Sequence, residues 1–589
     1  MAEPPPPLAA APASKGPFAC RLALKLTHEI LGPVCEQAIA CLINHGMQQY
    51  GELLKTSGLP AGQLSSAVLV LIQHNYVNCY LKEEPPTLRG PGPSYTLYEA
   101  ALPRILQSLR VPRFMTHISD EHGQESVRLV RNLTEHGRLR WDQLLEAVVR
   151  ESAEEGGEAA PAPGVLLNQF RSLVMQRYIE RVPPCTLPPP PQHVHPNARK
   201  KKAPPKPGSE EEADMHREQA DAALRHDYQQ VRFRLPSELM SPSGDAVEVD
   251  AQAKPAGKRK RGGKDAAAAS SEAEPAKKRE RKKAGEAGAE GGSAASLPAQ
   301  AAAAGDEEAP VLWRVNYDEF NRRFRNDVIV STAKLKYGVH AGQAVEGLLV
   351  ANACFEQTAH CEETVVLSVG DVSGALRRIH SNEDPPDNLA CVLSDLADDD
   401  MHFLESRGSG PGGEQYVLSI SRVLRFARLY QLKGVIRTKF GVAGMRIWRL
   451  LLLNGQLEQK QVADLAMVTK EEAREALYAM LKGGYLALQD VPRTNDRAPS
   501  RTFYTWRANA DTTIARLTSD LYRAAGNLHA RLEHEARKQS ELWELLELPV
   551  APSIIERRQG EIAALKAVTS RLEAALLDLD WQVCIFADV

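Results

Sequence analysis

The sequence predicts a mainly α-helical protein with small β-hairpins: four tandem winged-helix domains plus a C-terminal helical coiled coil, with disordered linkers. Three observations predict this fold class. One pattern of helix, corner and short strand recurs four times along the chain. Two long stretches have compositions that cannot form a hydrophobic core. A helical period of apolar residues begins after residue 510 and continues almost to the C-terminus.

The recurring pattern is an apolar stripe at helical spacing that ends at an aromatic residue or Met, just before a short strand. Apolar residues lie eight, five and usually four positions before that residue, which places them on one helical face. Four unrelated amphipathic helices are the alternative interpretation. The copies are "SSAVLVLIQHNYVNCYL" (65–81), "LLNQFRSLVMQRYIERV" (166–182), the looser "DNLACVLSDLADDDMHFLES" (387–406) and "EEAREALYAMLKGGYLALQDV" (471–491).

The flanking segments favour a repeated domain over unrelated helices. In the first, third and fourth copies, a strand, a Pro- or Gly-rich turn and a second strand follow the helix. A long helix and a short helix precede the first and fourth copies. Three helices and a two-stranded hairpin are the layout of a winged helix, a variant of the helix-turn-helix. The second copy is the weakest, because "ERVPPCTLPPP" supplies only one clear strand.

The predicted boundaries follow from these units and from the composition of the linkers. For the first part of the C-terminal region, one amphipathic helix lying on the preceding domain is the alternative to a coiled coil. The expected organisation is a disordered N-terminal extension at 1–17, winged helix 1 at 18–100, winged helix 2 at 101–183, a mostly disordered basic and Ala-rich linker at 184–310 with a helix at 214–235, winged helix 3 at 311–425, winged helix 4 at 426–510 and a helical hairpin or coiled coil at 511–589.

The composition is typical of an intracellular protein without a strong overall charge. The chain has 72 Lys and Arg against 75 Asp and Glu, so no whole-molecule field directs it to nucleic acid or to an anionic membrane. Its nine cysteines show no CxxC motif, which favours reduced thiols. The N-terminus lacks the apolar core of a signal peptide, and no apolar run is long enough to predict a membrane span.

No motif predicts catalysis, a cofactor or a metal site. The sequence lacks a GxxxxGK[ST] phosphate loop and the HExxH, GxSxG and GxGxxG patterns. The best metal candidate, Cys354 with His360 and Cys361, has no fourth ligand at finger spacing. The acids from Asp398 to Asp400 lie at a predicted corner before a wing, where solvated carboxylates are common. We therefore expect a protein that is not an enzyme and has no cofactor.

Two basic clusters in the linker are the clearest functional feature of the sequence. A nuclear import receptor binds such paired basic runs in an extended conformation, and they could also bind nucleic-acid phosphates nonspecifically. Keeping the linker soluble is the simplest alternative, but an Ala-rich linker needs far less charge for that. The clusters are Lys258, Arg259, Lys260 and Arg261, followed by Lys277, Lys278, Arg279, Arg281, Lys282 and Lys283.

The predicted wing of winged helix 4 carries candidate contacts to DNA or to a partner. Arg493, Arg497 and Arg501 lie in this wing, and Lys470 begins the preceding helix. Positions like these can contact phosphates in a winged helix. The same helix, however, has three Glu residues near its start, which would repel a DNA backbone but also favour the helix macrodipole. The balance favours protein docking over base readout, with backbone contact by wings and linkers left open.

The block "LEQKQVADLAMVTKEEAREALYAMLKGGYLALQDVPRTNDRAPSRTFYTWRAN" (457–509) closely resembles the most distinctive part of the winged-helix subunit family of nuclear RNA polymerase III, its third-largest-type subunit. "EQKQV" and "APSRTFY" carry this resemblance. "LIQHNYV" near residue 75 and "NYDEFNRRFRNDVIV" after residue 315 match the family as well. The resemblance covers about 18–182 and 311–580, and it extends to the large subunit of transcription factor IIE.

The resemblance implies a non-catalytic polymerase subunit that resides in the nucleus. In that family, the protein assembles with a second winged-helix subunit and an acidic-tailed subunit into a detachable trimer. The trimer lies on the polymerase clamp, contacts initiation factors, and helps to open and hold promoter DNA, single- or double-stranded. The family resemblance also implies four winged-helix domains and a coiled coil. A free-standing winged-helix transcription regulator that binds DNA by itself is the alternative function.

Overall fold

In the part of the chain that the structure describes, four small antiparallel sheets each pack against their own group of helices. The predicted fold class, mainly helical with small hairpins, is confirmed. Among the described residues, no helix is both long enough and apolar enough to span a bilayer. The computed structural model describes residues 16–83, 94–154, 162–188, 210–240, 311–356, 361–379, 388–410, 412–493, 502–542 and 558–588.

Winged helix 1 shows the basic arrangement of one unit. The helix Ala61–Gln73 carries the predicted stripe, and its Val68 and Leu71 are buried together with Tyr76, which follows the helix. These side chains share one core with the helices that precede them. Strand β3 lies between β1 and β2. The elements are α1 (Pro17–Leu31), α2 (Pro33–His45), β1 (Gln48–Gln49), α3 (Tyr50–Ser57), α4 (Ala61–Gln73), β2 (Val77–Glu83) and β3 (Ser94–Ala100).

Winged helix 4 repeats that arrangement, with β11 between β9 and β10. Leu477, Met480 and Tyr485, which the sequence pattern singled out, are buried with Trp506 in one core. Side chains on one helical stripe bury together because the α-helix repeats every 3.6 residues. The elements are α16 (Ile420–Asn454), β9 (Gln456–Glu458), α17 (Gln459–Ala466), α18 (Lys470–Gly483), β10 (Ala487–Pro492) and β11 (Thr502–Arg507).

Winged helix 3 follows the same order, and its acidic corner has a structural role. The Asp399 carboxylate accepts hydrogen bonds from Lys336 Nζ at 2.8 Å, from the Tyr337 hydroxyl at 2.6 Å and from the Met401 backbone N–H at 2.9 Å. Burial would raise the pKa of Asp399, but these bonds lower it to about 2. The elements are α12 (Tyr317–Tyr337), α13 (Val339–Asn352), β6 (Leu367–Ser368), α14 (Val369–Ile379), α15 (Leu389–Ala397), β7 (Leu404–Gly410) and β8 (Gly413–Leu418).

Winged helix 2 takes the second strand of its hairpin from the far end of the linker. The sequence prediction placed residues after 311 in winged helix 3, but β5 (Trp313–Val315) pairs antiparallel with β4 (Ile179–Arg181). Leu139 forms a bridge to Trp313 and so occupies the place of the first strand in the other sheets. The two strands of this hairpin therefore lie on either side of the linker in the sequence. Its helices are α5 (Leu102–Gln107), α6 (Val111–His122), α7 (Gln124–His136), α8 (Trp141–Glu154) and α9 (Pro163–Met175).

A glycine corner marks the same point in all four units. Each corner joins the helix that precedes the unit to its first helix, and each has a positive φ with an extended ψ. A side chain at such a φ is strained, so glycine is the residue that fits. The corners are Gly32, Gly123, Gly338 and Gly441, with φ of 85°, 78°, 96° and 75°.

The C-terminal helices pack back on two of the winged helices. Helices α19 (Ala510–Lys538) and α20 (Gln559–Val583) contact each other. Tyr522 of α19 and Val583 of α20 belong to the core of winged helix 1, whereas Phe586, in the π-helical turn that follows, belongs to the core of winged helix 4. This region therefore contacts the cores of both winged helix 1 and winged helix 4, and the coiled-coil geometry itself stays a prediction.

A buried arginine, Arg110, connects the C-terminal region to two other parts of the chain. Arg110 is 1% exposed, and its Nε donates to Asp580 Oδ2 at 2.8 Å. Its Nη2 donates to Asp588 Oδ2 at 2.9 Å, and its Nη1 donates to the Asn321 side-chain oxygen at 2.7 Å. Three segments far apart in sequence meet at one guanidinium, which can satisfy several planar acceptors at once.

The linker contributes one long helix to the ordered structure. The sequence placed a helix at 214–235, and the structure has α10 at Glu210–Val231. Arg232, just after α10, forms an ion pair with fully buried Glu180, which also accepts from Arg314 Nε at 2.7 Å. Burial would raise the pKa of Glu180, but the two arginines lower it below its usual value. Residues 236–310 form a separate unit, described only at 236–240, where Ser237–Met240 form the short helix α11.

Candidate protein and nucleic-acid interfaces

The wing of winged helix 4 is formed by β10 and β11, which pair from Ala487↔Arg507 to Pro492↔Thr502. Arg493 follows β10 and is exposed, with its guanidinium carbon 4.1 Å from the centre of the Phe503 ring. This cation–π contact holds Arg493 against the wing instead of leaving it free to extend. The other two predicted wing cations, Arg497 and Arg501, lie outside the described residues.

The start of α18 is built for helix capping. The Thr469 hydroxyl accepts from the Glu472 backbone N–H at 3.2 Å, and the Glu472 carboxylate accepts from the Thr469 N–H at 3.3 Å. This reciprocal pair is a capping box, and it gives Glu472 a structural reason for its place. Lys470 is exposed beside it, but α18 also carries Glu471 and Glu475 on its exposed surface. Helix α18 therefore presents a mixed charge to a groove.

Exposed apolar side chains lie on α18 and on the wing, close to buried Trp506. We define the WH4 aromatic surface as Tyr478, Leu488 and Tyr504, which are 50%, 40% and 49% exposed. Tyr478 packs edge-on against buried Trp506, with ring centres 5.3 Å apart, and Leu488 pairs with Trp506 in the sheet. Residues 504 and 506 lie on the same face of β11 because side chains alternate along a strand. Such a patch is typical of a protein-docking site.

The third helices of the other units have little charge. Helix α4 has no Asp, Glu, Lys or Arg at all, and Leu69 on it is 64% exposed. Helix α9 carries Arg171 as its one charged residue, and α15 carries Asp395. DNA-reading helices use Arg, Lys, Asn and Gln on base edges and cations on phosphates. Arg171 is the one cation on these three helices, so the preference for protein docking drawn from the sequence extends to all three.

Positive charge is concentrated instead on α16, a feature that the sequence reasoning missed. This helix of 35 residues has eight basic residues and no acidic residue. A count of charge in a sliding window would have found it. Gly441 bends α16 in the middle, and cations lie on both sides of the bend. The basic residues are Arg422, Arg425, Arg428, Lys433, Arg437, Lys439, Arg446 and Arg449.

Some of these cations have structural partners. Arg422 Nη1 lies 2.8 Å from Glu405 Oε1, and Lys439 Nζ lies 3.6 Å from Asp520 Oδ2. Arg428 donates from Nε to the Ile585 backbone oxygen at 3.0 Å. Burial, followed by repulsion from Arg449, lowers the pKa of Lys433. Because that repulsion acts across the bend, the two halves of α16 hold their positive charges close together.

The remaining cations form an open basic surface. We define the α16 basic surface as Arg425, Arg437, Arg446 and Arg449, which are all exposed. Within the described parts of the chain, no carboxylate lies within ion-pair distance of these four guanidinium groups. Guanidinium groups in such a setting can bind phosphate oxygens in pairs. The arrangement therefore suits the backbone of a nucleic acid.

Several predicted features lie in residues that the structure does not describe. Both basic clusters of the linker, Lys258 to Arg261 and Lys277 to Lys283, lie outside the described residues. His360 of the metal candidate does so too. Among the described side chains, no group of three or more His, Cys, Asp and Glu is placed to hold a metal ion.

Family models match three parts of this chain. Residues 168–426 match RNA polymerase III subunit RPC82, and residues 21–82 match the helix-turn-helix domain of that subunit. Residues 432–508 match the C-terminal winged-helix domain of POLR3C. The chain belongs to the winged-helix subunit family of RNA polymerase III. This membership supports a non-catalytic polymerase subunit over the free-standing regulator that the sequence left open.

Relatives from distant organisms agree with the family models. The DNA-directed RNA polymerase III subunit RPC3 of Danio rerio is 27% identical over 526 residues, which cover 89% of this chain and 86% of the relative. The subunit of the same name from Homo sapiens is 26% identical over 533 residues, 89% of this chain and 85% of the relative. The Dictyostelium discoideum subunit is 30% identical over 165 residues, 28% of this chain and 25% of the relative.

Proposed function

We propose that this RNA polymerase III subunit has two separate working surfaces. The WH4 aromatic surface and the charge-poor third helices dock other polymerase subunits and initiation factors. The α16 basic surface binds the phosphate backbone of promoter DNA. The observation that carries this proposal is the difference in charge: α16 has eight cations and no acid, whereas α18 balances its cations with acids and, with its wing, exposes Tyr478, Leu488 and Tyr504.

Exposed Tyr478, Leu488 and Tyr504 support the docking role. Burying a large tyrosine contributes strongly to protein interfaces, and tyrosine is enriched among the residues that dominate binding energy. Lys470, Glu471 and Glu475 are exposed on the same helix as Tyr478 and add charges of both signs, as at the polar rim of an interface. The partners we propose are a second winged-helix subunit, an acidic-tailed subunit and the polymerase clamp.

Open cations on α16 support the DNA role. The first segment of α16, before Gly441, is about 30 Å long, close to one turn of duplex DNA. Arg437, Arg446 and Arg449 lie on either side of the bend, so they can follow a curved or opened backbone. Contacts of this kind position a nucleic acid without reading its sequence. The subunit would thereby help to hold promoter DNA during opening and initiation.

The basic clusters of the linker support a nuclear location. Lys258 to Arg261 and Lys277 to Lys283 have the spacing of a paired import signal, which an import receptor would bind in the cytoplasm. Polymerase III acts in the nucleus, so import is a requirement of the proposed function. The same clusters can add nonspecific attraction for DNA once the subunit has assembled.

Affinity purification of the tagged full chain from nuclear extract tests the docking role. The variant Tyr478→Ala/Tyr504→Ala should lose at least one polymerase subunit or initiation factor that the wild type retains. Tyr430→Ala is the matched control, because Tyr430 is also 50% exposed but lies on α16. The control should retain the full set. If the double variant retained every subunit that the wild type retains, the docking role of this surface would be refuted.

A further inference from the structure

Two cysteines from distant parts of the chain meet where the linker leaves winged helix 2. The Leu81 backbone N–H donates to the Cys185 oxygen at 2.8 Å, so the segment after β4 continues along the edge of β2. Cys79 lies on β2, two residues before Leu81. The side chains of Cys79 and Cys185 line the same cavity, and each shifts the pKa of the other. The fold therefore holds two thiols as neighbours.

This pair lies on the wall of a basic cavity of about 460 Å³. Among the described residues that line it, Asp318 is the one carboxylate. Cys185 is exposed, so a small solute can reach its sulfur, whereas Cys79 is half-buried behind it. Electropositive and partly exposed surroundings are those in which cysteines become reactive. The cationic lining consists of Arg138, Arg225, Arg232 and Arg314.

The surroundings divide the roles of the two sulfurs. The hydrogen bond from Cys79, together with the charge of Arg138, lowers the pKa of Cys185 to about 6. The same hydrogen bond and burial raise the pKa of Cys79, which keeps its proton. Burial, followed by repulsion from Arg314, lowers the pKa of Arg138 to about 10. A thiolate beside Arg138 relieves this excess of positive charge, because opposite charges stabilise each other at short range.

We propose that Cys79 and Cys185 form a peroxide-sensitive dithiol, in which Cys185 reacts first and Cys79 then closes a disulfide. The Cys185 thiolate attacks one oxygen of hydrogen peroxide, the O–O bond breaks, and the hydroxide that leaves takes a proton to become water. Cys185 is then a sulfenic acid. The Cys79 sulfur loses its proton and attacks the Cys185 sulfur, the S–O bond breaks, and a second water leaves. The two thiols lose two electrons, and peroxide gains them.

The disulfide would fasten the start of the linker to winged helix 1. In the reduced protein, the backbone hydrogen bond from Leu81 to Cys185 joins these segments. A covalent bond beside it would prevent residues 182–188 from separating from β2. Since this segment is where the wing of winged helix 2 begins, oxidation would restrict the wing at its base.

Peptide mass spectrometry of the reduced full-length protein, treated with graded hydrogen peroxide and then alkylated, tests the proposal. We expect a peptide pair joined through Cys79 and Cys185 as the first disulfide to appear. Cys79→Ser should instead leave Cys185 as a sulfenic acid that dimedone traps, and Cys185→Ser should leave Cys79 reduced. Cys391→Ser removes an exposed cysteine on α15 and should leave the disulfide unchanged.

Arg138→Gln tests the role of the cavity. We expect it to slow oxidation of Cys185 about three- to tenfold, because the thiolate loses a cation that stabilises it. Arg140→Gln is the matched control, since Arg140 is paired with exposed Asp142 at 3.1 Å and does not line the cavity. The rate for Arg140→Gln should equal that of the wild type. Equal rates for wild type and Arg138→Gln would show that the cavity does not activate Cys185.

Hydrogen exchange gives an independent measurement. Formation of the disulfide should slow exchange of the Leu81 amide, whose acceptor is the Cys185 oxygen. The proposal is overturned if peroxide oxidises exposed Cys391 as readily as Cys185, or if Cys79 and Cys185 pair with other cysteines instead of with each other. Wild-type protein alone decides this outcome, so it does not depend on the folding of any variant.

Discussion

In a DNA-binding winged helix, the third helix usually carries the positive charge that binds DNA. In this chain the third helices have little net positive charge, and helix α16 carries it instead. Helix α4 has no charged residue, and α18 balances its cations with Glu471, Glu472 and Glu475. Helix α16 has eight cations and no acid. The third helix, which reads bases in other winged helices, is here suited to docking proteins. Helix α16 is suited to binding the phosphates of a nucleic acid. The position of charge, more than the fold, indicates where nucleic acid would bind.

Removing the buried ion pairs of Arg110 should have the largest effect, and this effect should be on stability. Arg110→Ala leaves the carboxylates of Asp580 and Asp588 without their buried cation. Breaking a buried ion pair in this way typically lowers the free energy of unfolding by about 3–5 kcal/mol. Urea denaturation, followed by near-UV circular dichroism, would measure the loss. Arg131→Ala is the control: its pair with Glu151 is partly exposed, and its removal should cost about 1 kcal/mol or less.

Neutralising α16 should have the next largest effect and tests the comparison directly. We expect Arg437→Gln/Arg446→Gln/Arg449→Gln to weaken duplex DNA binding about ten- to a hundredfold, and to flatten its salt dependence by about one unit of slope for each lost phosphate contact. Titrations by fluorescence anisotropy at several salt concentrations would measure both.

The matched control removes the same charge from the recognition helix. Lys470→Gln/Arg474→Gln/Lys482→Gln takes three exposed cations from α18. DNA affinity should then change by less than about twofold, since these cations are balanced by neighbouring acids. If this triple variant weakened DNA binding as much as the α16 variant does, the distinction between the two helices would fail.

The capping box should affect stability without affecting DNA binding. Thr469→Ala removes the oxygen that accepts from the Glu472 N–H, and such a change costs about 1 kcal/mol. Thermal unfolding should show the loss, and the anisotropy titration should not change. A DNA defect in Thr469→Ala would mean that the start of α18 contacts DNA, contrary to the structural role assigned to its acids.

The smallest expected effect belongs to the wing arginine. Arg493→Ala removes an exposed cation–π contact with Phe503, which is worth about 0.5–1 kcal/mol at most. We expect unchanged DNA affinity within about twofold, and a slightly more mobile wing by hydrogen exchange. A loss comparable to that of the α16 variant would assign the wing to the DNA surface.

Local patterns in the sequence were sufficient for most of the fold. The stripe of Leu477, Met480 and Tyr485 predicted one winged helix, and the equivalent stripe near Tyr76 predicted another, because helical periodicity is a property of adjacent residues. The glycine corners also have a sequence pattern, which the sequence analysis did not use. "KYGV" at 336–339 and "KFGV" at 439–442 mark the same corner in two units. The α16 basic surface was harder to predict from the sequence. Cations on a helix are available for binding only if no neighbouring acid pairs with them, and the sequence does not show which acids are neighbours.

The sequence by itself therefore determined the units of this protein: which segments form helices, where the corners and caps fall, and which stripes are buried. Those features depend on residues a few positions apart. The tertiary structure decided that β5 pairs with β4 across the linker, that Arg110 meets Asp580, and that the cations of α16 stay open. These contacts join residues more than a hundred positions apart or depend on what fails to cover a surface. Packing of the whole chain sets such contacts, because no short-range pattern specifies the partner.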